Sequence, residues 1–469
     1  MTTELHRLSL EEQSALIAKR AVSSAELVDH HLARCERLNP TLKAFITIDP
    51  EGARAAAREA DRELGAGRNR GRLHGLPIAH KDLFDTAGVK STYGSKFFES
   101  HVPPGDAEVV RRLKTNGAVS LGKLNLHEFA AGSTSNNPWY GAARNPWDTS
   151  RAAGGSSGGS GSAVAAFLCG GTTGTDTGGS IRNPASCNGV VGLKPTYGRV
   201  SLAGCFPLCP SLDTAGPLAR TVRDTAILLQ AMAGFDPGDP TSANVAVPNY
   251  LAAIEDGVEG LRLAFCPDLH YSEIDSGVLA ALESAGRVFE RLGARLSTVR
   301  FPKFESMTET CLALFRGETG AVHRARFQSS PEKFGADVAL LLRERCNLTC
   351  DEYVKAVENR LVLRRRFEAL MAEADALIMP TAPCPAPLVD GRCQVNGKEA
   401  DFGSIGLPMR MPVNVLGIPS LALPMGYLGG LPISLQVIGP AWSEALILRI
   451  GRAFERATPE LRDRAPALN

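Results

Sequence analysis

The chain has 469 residues and 49.8 kDa, room for one large α/β domain or two to three average ones. With 44% hydrophobic residues, 22% charged residues and a net charge of +1, it offers no electrostatic case for binding nucleic acid or a membrane surface. No run of about eighteen apolar residues occurs, and Met1-Thr2-Thr3-Glu4 begins no basic–apolar–cleavage pattern, so a cytoplasmic protein is expected.

Two capping boxes lie near the start, Ser9-x-x-Glu12 and Ser23-x-x-Glu26. After the second, Leu27, Val28, His31, Leu32 and Cys35 recur at helical spacing, which puts His30 and His31 on the helix surface and edge. A further helix rich in Ala and charge fits 52–64, so residues 1–70 read as helices wrapping the core. From Leu73 strands and helices alternate. Gly75-Leu76-Pro77-Ile78-Ala79-His80-Lys81-Asp82 is an apolar strand ending in a charged pair. Asp106 is placed to cap a helix over 107–113 that ends near Gly117, and 118–123 reads as a strand. Asn125 to Thr134 follows, with His127 and Glu128 assigned structural or pocket-wall roles. Thr221 caps a helix running through Ala233; 260–265 reads as a strand and 278–292 as a helix. The stretch 303–375 is helical with balanced charge, and Arg364-Arg365-Arg366 within it reads as a solvated face. A buried strand and proline turn follow at 377–383; two short strands and a helix through Glu455 fill the chain from Met411. This alternation predicts a sheet with helices on its faces.

Eleven cysteines are scattered, mostly in apolar contexts. Cys205-x3-Cys209 and Cys346-x3-Cys350 lack the His pair or second close Cys pair of a zinc site, so buried reduced thiols and no metal are expected.

The stretch around which the chain is organised is 154–182. Gly154-Gly155-Ser156-Ser157-Gly158-Gly159-Ser160-Gly161-Ser162 has the composition of a linker, but Ala163 to Cys169 continues it as a buried apolar helix stopped by Gly170-Gly171. A P-loop would need a Lys directly after its last Gly, and a dinucleotide fingerprint a strand–turn–helix frame with a ribose acid; a nucleotide site is the weak alternative. The stronger reading is catalytic. In Thr175-Asp176-Thr177-Gly178-Gly179-Ser180-Ile181-Arg182, glycines before a serine let a carbonyl approach the backbone. The amides of Thr177, Gly178, Gly179 and Ser180 can then converge on one oxygen. A serine nucleophile needs a base, and no His lies within about forty residues of Ser180. Lys81 is the alternative: burial on its strand would lower its pKa toward a neutral amine. Pairing with Asp82 is the competing structural role.

Together Ile78-Ala79-His80-Lys81-Asp82, Gly154 to Ser160, Thr175 to Arg182, Gly189-Val190-Val191-Gly192-Leu193-Lys194-Pro195-Thr196 and Gly430-Leu431-Pro432-Ile433-Ser434-Leu435-Gln436 resemble the amidase signature family of serine hydrolases over nearly the whole chain. The resemblance implies an α/β fold: one large domain with a mixed, mostly parallel twisted sheet covered by helices on both faces. It places the catalytic core at 71–235, a helical region for substrate selectivity and subunit contacts at 300–375, and the C-terminal part of the core at 376–469. It implies Ser180 as nucleophile, Ser156 as bridging serine after a cis Gly155–Ser156 peptide, and Lys81 as base. Asp176 and Arg182 would brace the turn, Ser157 and Ser160 would be supporting scaffold around it, and Ser133 would hydrogen-bond near Lys81. No cofactor is implied.

The N-terminal half also resembles the glutaminase subunit of tRNA-dependent amidotransferases, including Asn145-Pro146-Trp147 and Gly192 to Val200. The middle departs from it: Cys311-Leu312-Ala313-Leu314-Phe315-Arg316-Gly317-Glu318 stands where an Asn-Leu-Ala-Arg-Tyr-Asp-Gly motif is expected. The expectation is therefore a stand-alone hydrolase of small hydrophobic or aryl amides, with esters and carbamates also in reach, water as co-substrate and a homo-oligomer open. Phe206, Leu208, Phe315 and Met411 are the candidate pocket residues. The glutaminase subunit is the alternative, and a non-catalytic nucleotide-binding module comes last.

Overall fold

The computed structural model describes residues 4–269, 273–301 and 305–468; the start of the helical stretch predicted from residue 303 lies outside the described residues. Both capping boxes form, opening α1 (Leu10–Ala18) and α2 (Ser24–Leu42). α2 buries Leu27, Val28, His31, Leu32 and Cys35 against the core. His31 is fully buried rather than at the helix edge, near Gln13 Nε2 at 3.4 Å. α3 (Pro50–Gly65) begins on Asp49, whose carboxylate accepts the Gly52 amide.

Among the described residues, eleven strands form one sheet. They are β1 (Phe45–Ile48), β2 (Pro77–Lys81), β3 (Val119–Leu124), β4 (Gly171–Thr175), β5 (Val191–Lys194), β6 (Ala215–Ala219), β7 (Arg262–Phe265), β8 (Arg295–Thr298), β9 (Ala376–Pro380), β10 (Ser420–Leu428) and β11 (Leu431–Ile438). Their spatial order is β1-β3-β2-β4-β6-β5-β10-β11-β9-β7-β8. The sheet is mixed, but not mostly parallel. Only β2–β3, β2–β4, β7–β9 and β7–β8 pair in parallel, while the six pairs β1–β3, β4–β6, β6–β5, β5–β10, β10–β11 and β11–β9 are antiparallel. Parallel neighbours need a crossover, and helices supply it only towards the two ends of the sheet. At the middle β10 returns directly into β11 through Gly429-Gly430, both at positive φ, as a hairpin requires.

Helices cover both faces. On one, α1, α4 (Glu108–Thr115), α7 (Val222–Met232), α8 (Ser276–Arg291) and α13 (Glu444–Ala457) pack on Ile78, Val191 and Leu421. On the other lie α5 (Gly158–Ala165) and α6 (Arg182–Asn188), then α9 (Glu305–Ser329), α11 (Cys350–Leu370) and α12 (Phe402–Leu416) towards the far end, with α10 (Ala336–Arg345) beside α9. Thr221 caps α7 through its hydroxyl, as expected. Asp106 does not cap α4: its carboxylate takes the Ala87 amide and the Lys114 ammonium instead. The helix expected over 163–169 starts earlier, inside the glycines, and ends by Ala165 because Phe167 takes a positive φ. Met411 belongs to a helix rather than to a segment of strands; Pro408 and Pro412 inside α12 masked it in the sequence. In the Arg364–Arg366 run, Arg365 and Arg366 are solvated and Arg364 holds the Leu416 carbonyl.

Lys81 does not pair with Asp82. The Asp82 carboxylate faces Lys123 at 3.1 Å, both fully buried, and accepts the Thr92 amide and hydroxyl. Lys123 also donates to the Phe84 carbonyl and the Ser91 hydroxyl. The charged pair at the strand end is thereby split, and Lys81 is left to other partners.

Edge strand β1 rests on one glycine. Gly122 has φ +143°, and a Cβ there would lie 2.2 Å from the Thr47 carbonyl oxygen. Gly122→Ala should therefore cost about 1–3 kcal/mol and speed amide exchange along Phe45–Ile48 before the central strands are affected. Unchanged protection in β1 would contradict this packing.

Candidate active site

Three chain segments meet at the end of β2. Lys81 is the last residue of that strand, Ser156 lies on the turn before α5, and Ser180 lies on the turn between β4 and α6. The Lys81 ammonium nitrogen sits 2.7 Å from Ser156 Oγ and 2.7 Å from Thr175 Oγ1. It is fully buried and makes no ion pair among the described residues. Burial pushes its pKa down to about 7, against the weaker pull of Cys205, Asp213 and Asp176. At neutral pH a sizeable fraction of this amine is therefore uncharged, and one proton can pass along the Ser156 bond.

A cis peptide joins Gly155 to Ser156. Gly155 has no room for a side chain: a Cβ would stand 2.7 Å from the backbone of Ser133 and Thr134. The Ser156 carbonyl accepts the His127 amide at 3.1 Å and the Ser135 hydroxyl at 3.0 Å. The Ser157 amide donates to the Ser180 carbonyl at 3.2 Å, so the two serine turns are stitched together. The linker-like composition thus serves close backbone packing, with every residue from Gly154 to Ser162 buried.

The Ser180 turn is braced from beneath. Asp176 accepts the amides of Gly179, Ile181 and Arg182 and two bonds from the Arg182 guanidinium. Burial alone would raise its pKa, but Arg182 outweighs burial and holds the carboxyl well below the usual range. Asn414 donates to both the carbonyl and the carboxylate of Asp176, and Arg182 reaches Gln436 and Asn414. Gly179 stands at φ +113°, where a Cβ would meet the Arg410 side chain at 2.5 Å. Of the four amides expected to meet one oxygen, that of Gly179 is committed to Asp176, while those of Thr177, Gly178 and Ser180 make no hydrogen bond among the described residues. Ser180 keeps 9% of its surface exposed, and its hydroxyl has no protein partner among those residues.

The other predicted residues are dispersed around this centre. Ser157 Oγ exchanges bonds with the Thr175 backbone, and Ser160 Oγ donates to the Thr173 carbonyl. Ser133 is not a partner of Lys81; its carbonyl holds the Asn183 amide, and Thr175 fills the role expected of it. Met411 and Leu407 lie over Gly178, about 3.5 Å from where its Cβ would be. Leu208 and Phe206 join Tyr93, Phe129 and Phe334 in an aromatic cluster, and Phe315 packs against both that cluster and the one holding Met411. His127 meets Asp337 at 2.7 Å, while Glu128 accepts Ser95, Trp139 and the Gly335 amide. Cys209 donates its thiol to Glu318.

Sequence reasoning missed Thr175, Asn414 and Asp213. Thr175 was readable, because Thr173 and Thr175 share a face of β4 in register with β2. Asn414 and Asp213 arrive from distant segments and leave no local pattern.

Among the described residues no helix is long and apolar enough to cross a membrane. A family profile described as Amidase matches residues 26–448. A glutamyl-tRNA(Gln) amidotransferase subunit from Methylococcus capsulatus is 40% identical, over 99% of each chain. Among solved structures, one from a vestigial protein complex that reveals the origins of an s-triazine catabolic enzyme superposes with a TM-score of 0.92 at 34% identity, covering 96% of this chain and 98% of that one. A bacterial aryl acylamidase superposes with a TM-score of 0.89 at 27% identity, covering 98% and 99%. By its profile, its relatives and its fold the chain belongs to the amidase signature family, and it is an amidase-type hydrolase of C–N bonds.

Proposed function

We propose that the chain cleaves a small carboxamide through an acyl-enzyme on Ser180, with Lys81 as base and Ser156 as relay. The observation that supports this most is the buried, unpaired Lys81 amine at 2.7 Å from Ser156 Oγ, next to the turn that carries Ser180. In this reading the Ser180 hydroxyl adds to the amide carbonyl as its proton passes to Ser156, whose own proton goes to neutral Lys81. The oxyanion that forms is met by the amides of Thr177, Gly178 and Ser180. The proton then returns through Ser156 to the leaving nitrogen, because an amine departs only once protonated. Water repeats the sequence on the ester, releasing the acid.

For the identity of the amide, the whole-length relatives, which are glutamyl-tRNA(Gln) amidotransferase subunits, favour glutamine and a place beside partner chains. That reading is better supported than the stand-alone enzyme expected from the divergent middle segment. The second reading, a self-sufficient hydrolase of hydrophobic or aryl amides, draws on the aromatic cluster around Phe206 and the likeness to an aryl acylamidase. The purified chain, assayed alone with glutamine, an anilide, a nitrophenyl ester and a carbamate, separates them. Glutamine turnover that rises when co-purifying chains are restored supports the first reading. Fast anilide hydrolysis without partners and no glutamine turnover supports the second.

Lys81→Ala should lower kcat/KM about 10³-fold or more, with Ser180→Ala at least as damaging and Ser156→Ala close behind. Fluorophosphonate should label Ser180 in the unsubstituted chain and not in Ser180→Ala. Near-normal turnover by Lys81→Ala at neutral pH would overturn the base assignment. The pH profile follows from the lowered lysine pKa: protonated below about 7, the amine cannot accept, so activity should climb through that pH and level off above it. A rate that falls across the same range would contradict it.

A further inference from the structure

Among the described residues, Asp213 is a buried carboxylate beside the Ser180 turn that the mechanism above leaves without a role. It sits in a loop joining the aromatic cluster to β6, and its two oxygens face two different parts of the site. Oδ1 accepts the Thr177 hydroxyl in a short hydrogen bond. Oδ2 accepts the amides of Leu208 at 2.9 Å and Cys209 at 3.0 Å. Neither oxygen meets a cation in an ion pair among the described residues. Burial raises its pKa to about 6, opposed by the three hydrogen bonds it accepts.

The loop that Asp213 closes is itself fixed to the helical region. Glu318 of α9 accepts the Ser211 amide and hydroxyl, Thr319 donates to the Leu208 carbonyl, and Arg360 of α11 donates to the Ser211 carbonyl. On the other side, Thr177 precedes two glycines that exert little restraint of their own on its backbone. Asp176 pins the turn from Gly179 onward through the amides of Gly179, Ile181 and Arg182, but it takes no bond from Thr177. The Thr177 side chain therefore has a single anchor, and its amide is one of the three that point to no protein acceptor among the described residues.

We infer that Asp213 is a positioning residue: through the Thr177 hydroxyl it sets the direction of the Thr177 amide toward the reacting carbonyl oxygen, and through the Leu208 and Cys209 amides it ties that direction to the candidate acyl-pocket side of the site at Phe206 and Leu208. This rests on the acyl-enzyme reading and adds to it the means by which pocket and oxyanion turn are kept in register. An error of about 1 Å in one donor lowers the rate by up to about 100-fold without weakening ground-state binding.

The test uses the full chain and the amide it turns over fastest. Thr177→Val removes the hydroxyl at nearly constant shape and should lower kcat about 10- to 100-fold, with KM within about 3-fold of the unsubstituted chain. Thr177→Ser keeps the hydroxyl and should recover most of the rate. Asp213→Asn should lower kcat as well, and the double variant Thr177→Val with Asp213→Asn should fall no further than the worse single variant, since the Thr177 hydroxyl acts only through Asp213. Thermal unfolding of Thr177→Val close to that of the unsubstituted chain separates positioning from loss of fold. An unchanged kcat in Thr177→Val, or additive losses in the double variant, would overturn the inference. If the unsubstituted chain neither labels with fluorophosphonate nor hydrolyses any amide, the acyl-enzyme reading fails first and takes this role with it.

Discussion

The structure turns on one cation denied its usual partners. Lys81 reaches the interior on a strand buried along its whole length, and the carboxylate beside it in sequence is taken by Lys123. What remains for the amine is two hydroxyls, those of Ser156 and Thr175. A buried ammonium facing only neutral acceptors is costly, and the cheapest relief is to give up the proton. In the proposed reaction, low polarity at this point does what an imidazole does elsewhere: it leaves a base that is neutral near neutral pH.

Keeping the amine neutral is useful only if the hydroxyls around it stay in place, and the surrounding network holds them while its carboxylates, Asp213 and Asp176, pull on the amine less than burial does. Asp176 and Arg182 neutralise each other beneath the Ser180 turn, with Asn414 and Gln436 absorbing the remaining donors and acceptors. Paired with each other, they brace the backbone amides of the turn. The contribution of α12 and β11 to this brace explains why residues over 200 positions from Ser180 belong to the site. The same logic extends to the loop ending at Asp213, which joins the amide turn to α9 and α11. The helical stretch 305–370 thereby contacts the site through hydrogen bonds to a loop.

Much of this was legible in the residues. Ser9 and Ser23 announced their helices because a capping box is a local signal, readable within four residues. Gly154–Ser162 and Thr175–Arg182 announced the site because close backbone approach permits few residue types. The losses have a common cause: they depend on partners distant in sequence. Asp106 looked like a cap but serves Ala87 and Lys114. Gly179 looked like an oxyanion donor, yet its amide belongs to Asp176. The strand directions in the middle of the sheet follow from hairpin and return connections that periodicity does not encode, and the prolines of α12 hid a helix that tertiary packing sustains. The preference for a partner-free enzyme came from a short divergent segment, whereas likeness over the entire length favours one member of a multi-chain enzyme.

The most direct measurement is the titration of the Lys81 side chain itself, by nitrogen NMR of chain labelled at lysine Nζ. Lys194 is also buried and also lowered to about 7, so Lys81→Met and Lys194→Met samples assign the two signals. The account predicts a resonance, lost only in Lys81→Met, that moves from charged to neutral near pH 7. A Lys81 signal that stays charged up to pH values at which exposed lysines titrate, about 10.4, would contradict it.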